Sequence, residues 1–328
     1  MRLARQGSLL AAGLLAALAV GAADPEPPKV QVIAPKLWLV PGAFPLDRQP
    51  DGNTVIFEGE TGLIVMDTGR HRWHRQAILD FAQQRNLPIT ALINSHWHLD
   101  HSSGNGDIKR KYPLAKLYTG NAVEKMIRDV WPESVARSQA YVDSGKGPPG
   151  LLQDLIGDIE TRRYPQALLP DVAITESGVR VIGGVRLEVH YAPNAATDGD
   201  VWVYHPFSRV AVAGDLITLP VPFLDTACVK GWRTALREIQ LTPFGMVVPG
   251  HGGAMGRGEF GIYKTAFEAY TDCAASTTNK SVCAANWVKA TAVLRAPEPA
   301  DDPRAKEMAE EYVDLLRANG GNGLRCMK

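Results

Sequence analysis

The chain carries no excess of either charge: 35 Lys and Arg stand against 35 Asp and Glu. Apart from the short "KRK" at 109–111 it has no Lys/Arg-dense segment. That removes the basic footprint a nucleic-acid partner requires. It also lacks an apolar run long enough to cross a bilayer. The longest, about Leu9 to Val20, falls short of the ~20 residues that a spanning helix needs. Cysteine is absent until position 228, so no lipidated cysteine follows that apolar run. No Cys-x-x-Cys or other metal-type cysteine spacing occurs. Nor does the sequence repeat with a period of 20–50 residues, which excludes solenoids and propellers.

The N-terminus holds Arg2 and Arg5, then the apolar run, then small residues up to Ala23. This pattern predicts a secretory signal over residues 1–23, cut after Ala22 or Ala23. A retained anchor is the competing reading. On cleavage, a periplasmic or secreted protein with no stable membrane anchor is expected. An exported chain can oxidise its cysteines, and Cys228, Cys273, Cys283 and Cys326 allow three pairings. The expected set is Cys273 with Cys283, closing a small loop, and Cys228 with Cys326, pinning the C-terminal tail; buried free thiols are the alternative. The remaining length, about 300 residues, suffices for one large domain or two small ones.

Short β-branched runs between turn residues, "KVQVIA", "KLWLVPG", "NTVIFEG", "GLIVMDTG" and "ITALINS", predict successive strands. "HRWHRQAILDFAQQRNLP" between two of them has helical apolar spacing. The order recurs later: strands at "GVRVIGGVRLEVHYAP", "GDVWVYHP" and "RVAVAGDLI", then the amphipathic "VKGWRTALREIQL", then "GMVVPGH". Two β-rich halves, each closing on a helix, predict an α/β sheet sandwich with helices outside. Its expected bounds are 30–255, followed by a helical extension over 256–328. A less regular stretch at about 121–170, with Trp131, Tyr141, Tyr164 and the turn "GKGPPG", is expected to cover a site.

The chemistry concentrates in "NSHWHLDHSSGN", residues 94–105. His96, His98 and Asp100 alternate after a strand-like run and are expected to converge on one side. His101 is expected to turn in as the chain leaves the strand. Imidazole and carboxylate together suit Zn²⁺ or another first-row metal.

"HWHLDH" resembles the His-x-His-x-Asp-His motif of the metallo-β-lactamase superfamily, and further landmarks follow in order. "VMDTG", with Asp67 and Gly69, is similar to the strand-end turn beneath that family's site; "VAGDLI" supplies Asp215 and "VVPGHGG" supplies His251. Over about residues 37–255 the resemblance implies an αββα sandwich with the site on one edge. By position, His96 and His98 would bind a first metal and Asp100, His101 and His251 a second. Asp215 would bridge them.

One family ligand is missing. Where the family has a His-Thr-x-Gly-Asp-like segment, this chain has "ATDGD", with Ala196 at the histidine position. A methyl group cannot ligate a metal. Asn194 and Asp198 are the nearby oxygen donors, and His190 lies too far upstream along a strand. His71, His74 and His205 fall outside the motifs. The expectation is one tightly bound Zn²⁺, with a second possible.

The resemblance then implies an exported hydrolase that opens an amide, lactone, ester or thioester bond of a small-molecule substrate by metal-bound hydroxide. Asp100 or His98 would orient the water and take its proton. "AFPLDRQPDGN" and the 121–170 stretch are expected to wall the pocket. The alternatives are a catalytically impaired binding or accessory protein, and a complete enzyme into which Ala196 was introduced. Oligomeric state is not legible in the sequence.

Overall fold

The computed structural model describes residues 25–295 and 302–326; the expected signal at 1–23 lies outside them. The first sheet runs in sequence order: β1 (Gln31–Ala34), β2 (Leu37–Val40), β3 (Thr54–Glu58), β4 (Leu63–Met66), β5 (Ile89–Ile93), β6 (Lys116–Gly120) and β7 (Val172–Ile174). Its strands are antiparallel from β1 to β4 and parallel from β4 to β7. The second sheet contains β8 (Gly178–Ile182), β9 (Val185–Pro193), β10 (Gly199–His205), β11 (Val210–Thr218), β12 (Met246–His251) and β13 (Met255–Gly256), again in order. Here only β11 and β12 pair in parallel.

The alternation of side chains along each strand builds the layers. Ile64 and Met66 of β4 meet Val201, Val203 and Val212 of the other sheet in the central layer. Their neighbours Leu63 and Val65 face outward onto Ala77, Ile78, Phe81 and Ala82 of α1 (Arg72–Arg85). With both faces buried, β4 shows a continuous apolar run rather than an alternating one. Trp202 and Tyr204 on the outer face of β10 likewise meet an outer helical layer.

Between the sheets' strands run α2 (Leu99–Ser102), α3 (Asn105–Lys111), α4 (Ala122–Asp129), α5 (Trp131–Ser144), α6 (Pro149–Arg163) and α7 (Val229–Leu241). The C-terminal extension is helical: α8 (Arg257–Ala275), α9 (Lys280–Ala290) and α10 (Pro303–Ala318). Asp302 caps α10 by accepting from the backbone N–H of Arg304 and Ala305, and Pro303 fills the first helical position. Cys273–Cys283 ties α8 to α9, and Cys228–Cys326 ties the start of α7 to the C-terminal tail. Among the described residues no helix is long and apolar enough to cross a membrane.

The stretch expected to be less regular is largely helical. α5 buries Trp131 alone, and α6 buries Asp154, Asp158 and Ile159. α6, held largely through its carboxylates, shows no apolar stripe, so hydrophobic periodicity cannot find it; the short α4 buries Ala122, Val123 and Met126 on one face, a pattern that is legible in the sequence.

Candidate metal centre

All the expected ligand residues gather where strands of both sheets end. β5 stops at Ile93, so His96 and His98 stand on the loop beyond it, while Asp100 and His101 lie on α2. The expected alternation of His96, His98 and Asp100 along a strand is therefore replaced by a loop-to-helix turn. It divides the residues into two sets: His96, His98 and Asp215, and Asp100, His101 and His251. β11 shifts register at Gly214, where φ is +54°, and the irregularity turns Asp215 toward these rings. His251 is the last residue of β12.

Asp67 organises the floor. Its backbone is in the left-handed region at φ 62°, uncommon for a non-glycine residue. Its carboxylate accepts from the Ser95 N–H at 2.7 Å, the Ser95 hydroxyl at 2.7 Å and His101 Nδ1 at 2.9 Å. His101 therefore keeps Nε2 free, 3.1 Å from Asp215 Oδ1 and 3.2 Å from His251 Nε2. Because the Ser95 hydroxyl donates to Asp67, it accepts from His96 Nδ1 at 2.9 Å. His96 Nε2 is thereby left toward Asp215 Oδ2 at 3.5 Å. Two backbones approach so closely that only glycine fits: a Cβ on Gly52 would lie 2.3 Å from the His101 ring, and one on Gly250 2.0 Å from Asp215 Oδ1.

These residues fit a cation. Asp215 is buried, yet among the described residues neither of its carboxylate oxygens has a hydrogen-bond partner, and His96 Nε2 has none either. Unpaired buried groups of this kind are costly unless an ion satisfies them. Burial alone would raise the Asp215 pKa, but the surrounding His101, His251 and His96 hold it well below the usual carboxylate range. Burial and the neighbouring His101 and His98 push His96 well below the usual imidazole value. An ionised carboxylate and a neutral imidazole are the states a metal binds.

Ala196 is buried beside the first set. Its carbonyl accepts from Thr226 Oγ1 at 2.8 Å, and the same oxygen of Thr226 lies 3.4 Å from His98 Nε2. With its proton given to Ala196, Thr226 can only accept from His98. This places the His98 proton on Nε2 and turns Nδ1 toward Asp215 Oδ2, 3.9 Å away. Asp198 approaches Lys125 at 3.9 Å and is not in either ligand set, while Asn194 is exposed in a turn. His190 stacks on Trp202 at 3.7 Å, with its pKa lowered to about 4 by burial. Of the remaining histidines, His74 meets Thr54 and His205 meets Ser208, while His71 meets Asp51 and Asp154.

A cleft of about 530 Å³ opens above His98 and Asp100. The Phe44–Pro50 loop and Trp131, Leu151 and Arg162 wall it, as the sequence suggested. Its far wall was not foreseen: Phe223 and Asp225 from the loop before α7, and Arg304, Met308 and Tyr312 from α10. Nothing local marks those residues, because the extension reaches the cleft only through the tertiary fold.

The family model described as the metallo-beta-lactamase superfamily matches residues 48–251, and the chain belongs to that superfamily. An atrochrysone carboxyl ACP thioesterase of Aspergillus fumigatus is 30% identical over 37% of this chain and 38% of its own length. An (R)-specific secondary-alkylsulfatase of Pseudomonas sp. is 25% identical over 56% of this chain. Only 29% of that sulfatase is matched, so the chain spans well under half of either relative. A solved metallo-beta-lactamase family protein from Thermus thermophilus superposes with a TM-score of 0.60 at 18% identity, covering 88% of this chain and 95% of its own.

Proposed function

We propose that this protein is an exported zinc-dependent hydrolase that cleaves an amide, lactone, ester or thioester bond in a small molecule. The observation that carries this reading is the meeting of two ligand sets at one buried carboxylate, Asp215, whose oxygens lack a hydrogen-bond donor among the described residues and are surrounded by imidazoles. Asp100, His101 and His251, with Asp215, would hold the tighter ion, and His96, His98 and Asp215 a weaker one. Zinc bound there would polarise the substrate carbonyl and lower the pKa of a water molecule.

The protein's own groups then have separable tasks. Burial opposes charge on Asp100, but His101, His251 and the Arg70 guanidinium keep it ionised. It can orient the attacking water and accept its proton. His98, with Nδ1 facing the same space and its side chain 16% exposed, is the other acceptor. The apolar side chains of Trp97, Trp131 and Phe223 would pack against an apolar part of the substrate. A thioesterase and a sulfatase among the relatives support ester-type substrates. Two disulfides support export.

Ala196 favours a second reading, a binding or accessory protein with an incomplete first site. Turnover of a panel of nitrophenyl esters, thioesters, lactones and β-lactams by the zinc-loaded protein decides between them. Activity that disappears in Asp100→Asn is expected for the hydrolase. A protein that binds zinc and turns over none of the panel would support the second reading.

A further inference from the structure

Arg162 stands in the wall of the cleft and is only 18% exposed. Its countercharge is Asp158 Oδ2, one helical turn back at 3.9 Å. Asp158 is already engaged through its other oxygen by the Arg70 guanidinium. Two guanidinium groups thus share one carboxylate, and Arg162 Nε has no hydrogen-bond partner among the described residues. Burial pulls the Arg162 pKa down, with Asp158 opposing and Arg70 reinforcing the shift.

The other charged groups on the cleft are differently placed. Arg48 pairs with Asp154 at 2.8 Å, and Arg304 donates to the carbonyls of Phe44 and Pro45. Asp100 belongs to the ligand sets, Asp225 acts on His98, and Asp47 lies on the loop beyond Leu46. Arg162 is therefore a half-compensated cation on a cleft that the apolar side chains of Trp97, Trp131 and Leu151 also line. A buried charge short of a partner is expensive, and an incoming anion would remove that cost.

We propose that Arg162 binds an anionic group of the substrate, which is then an amphipathic carboxylate whose apolar segment lies along Trp97, Trp131 and Leu151. Arg70 intervenes between Asp158 and Asp100, which it approaches to 3.7 Å. The bound carboxylate is thus set apart from the bond over the metal centre. The word substrate rests on the hydrolase reading above; the anion subsite itself does not.

Calorimetric titration of the zinc-loaded protein with 4-phenylbutanoate and with its neutral amide tests this. The carboxylate should bind about tenfold or more tightly than the amide, the scale of a charge-assisted hydrogen bond. In Arg162→Gln the preference should fall to about twofold or less, and Arg162→Lys should retain part of it, because the charge remains while the fork geometry is lost. Unchanged circular dichroism and zinc content identify folded variants. The preference should also survive chelation of the zinc. Equal binding of the two probes, no binding of either, or a preference that persists in Arg162→Gln would overturn the proposal. Hydrolysis of a neutral nitrophenyl ester by the wild type is read separately: its absence, with the carboxylate preference intact, would count against the hydrolase reading and leave the subsite standing.

Discussion

The two halves of the metal centre are built from adjacent residues yet differ in the groups that surround them. Asp100, His101 and His251 form one set, with His101 oriented by Asp67 and its ring packed against Gly52. His96 and His98 share the carboxylate of Asp215, and the buried Ala196, which is linked to His98 through Thr226, is the residue we propose to stand where a third imidazole would complete this half. The framework around this half is nevertheless in order, since Ser95 orients His96 and Thr226 faces His98. On this proposal the half beside Ala196 would hold its ion more weakly while keeping the groups that orient His96 and His98.

Asp215 is where the halves meet, so Asp215→Ala should have the largest effect. The one ion that survives dialysis in the wild type should weaken by more than the ~100-fold that loss of an outer-shell partner costs, read as metal lost on dialysis. Retention of one tight ion would show that the halves are independent. Asp67→Asn should act mainly on the complete half, because it weakens the acceptor that orients His101. A loss of about 10–100-fold in zinc affinity is expected, and competition with a chromophoric chelator measures it. Ala196→His should sharpen the contrast from the other side. A second ion should then survive dialysis, and cobalt substitution should show two spectroscopically distinct sites; one site before and after would mean that Ala196 does not limit occupancy.

The smallest expected effect concerns the helical cover rather than the metals. Asp154 of α6 accepts from Arg48 and lies 3.1 Å from His71 Nε2, while His71 Nδ1 meets Asp51 at 2.6 Å. Burial disfavours the charged imidazole, but Asp154 and Asp51 outweigh it and raise the His71 pKa. Stability from this contact is therefore present in full below the ordinary imidazole value and lost as pH rises through the raised one. For Asp51, burial is outweighed by His71 and His74, and its pKa falls from 3.8 to about 2. That contribution is present above 3.8 and lost toward 2. Hydrogen exchange in α6 should accelerate at both ends of this window, and His71→Asn should abolish the alkaline limb. A limb unchanged in that variant would remove His71 from the account.

What was legible in the sequence was local. The ligand residues lie in short motifs, and apolar strands with both faces covered announce a sandwich. Less was legible where contacts are polar or distant. α6 holds on through Asp154, Asp158 and Ile159 without an apolar stripe, and α5 through Trp131 at its start, so few apolar contacts mark either helix. Thr226, which contacts both His98 and the Ala196 carbonyl, is an ordinary threonine in sequence and gains its place only when the loop before α7 folds against the turn that precedes β10. Of the three pairings that four cysteines allow, the molecule has the expected one, Cys228–Cys326 with Cys273–Cys283.

The inequality of the two halves is tested most directly by elemental mass spectrometry of the protein as purified, and again after loading with excess zinc and dialysis. Near one zinc per chain in both samples is the predicted result: Asp100, His101, His251 and Asp215 hold one ion while the half beside Ala196 releases its own. Two ions retained through dialysis would contradict the account, as would none in either sample.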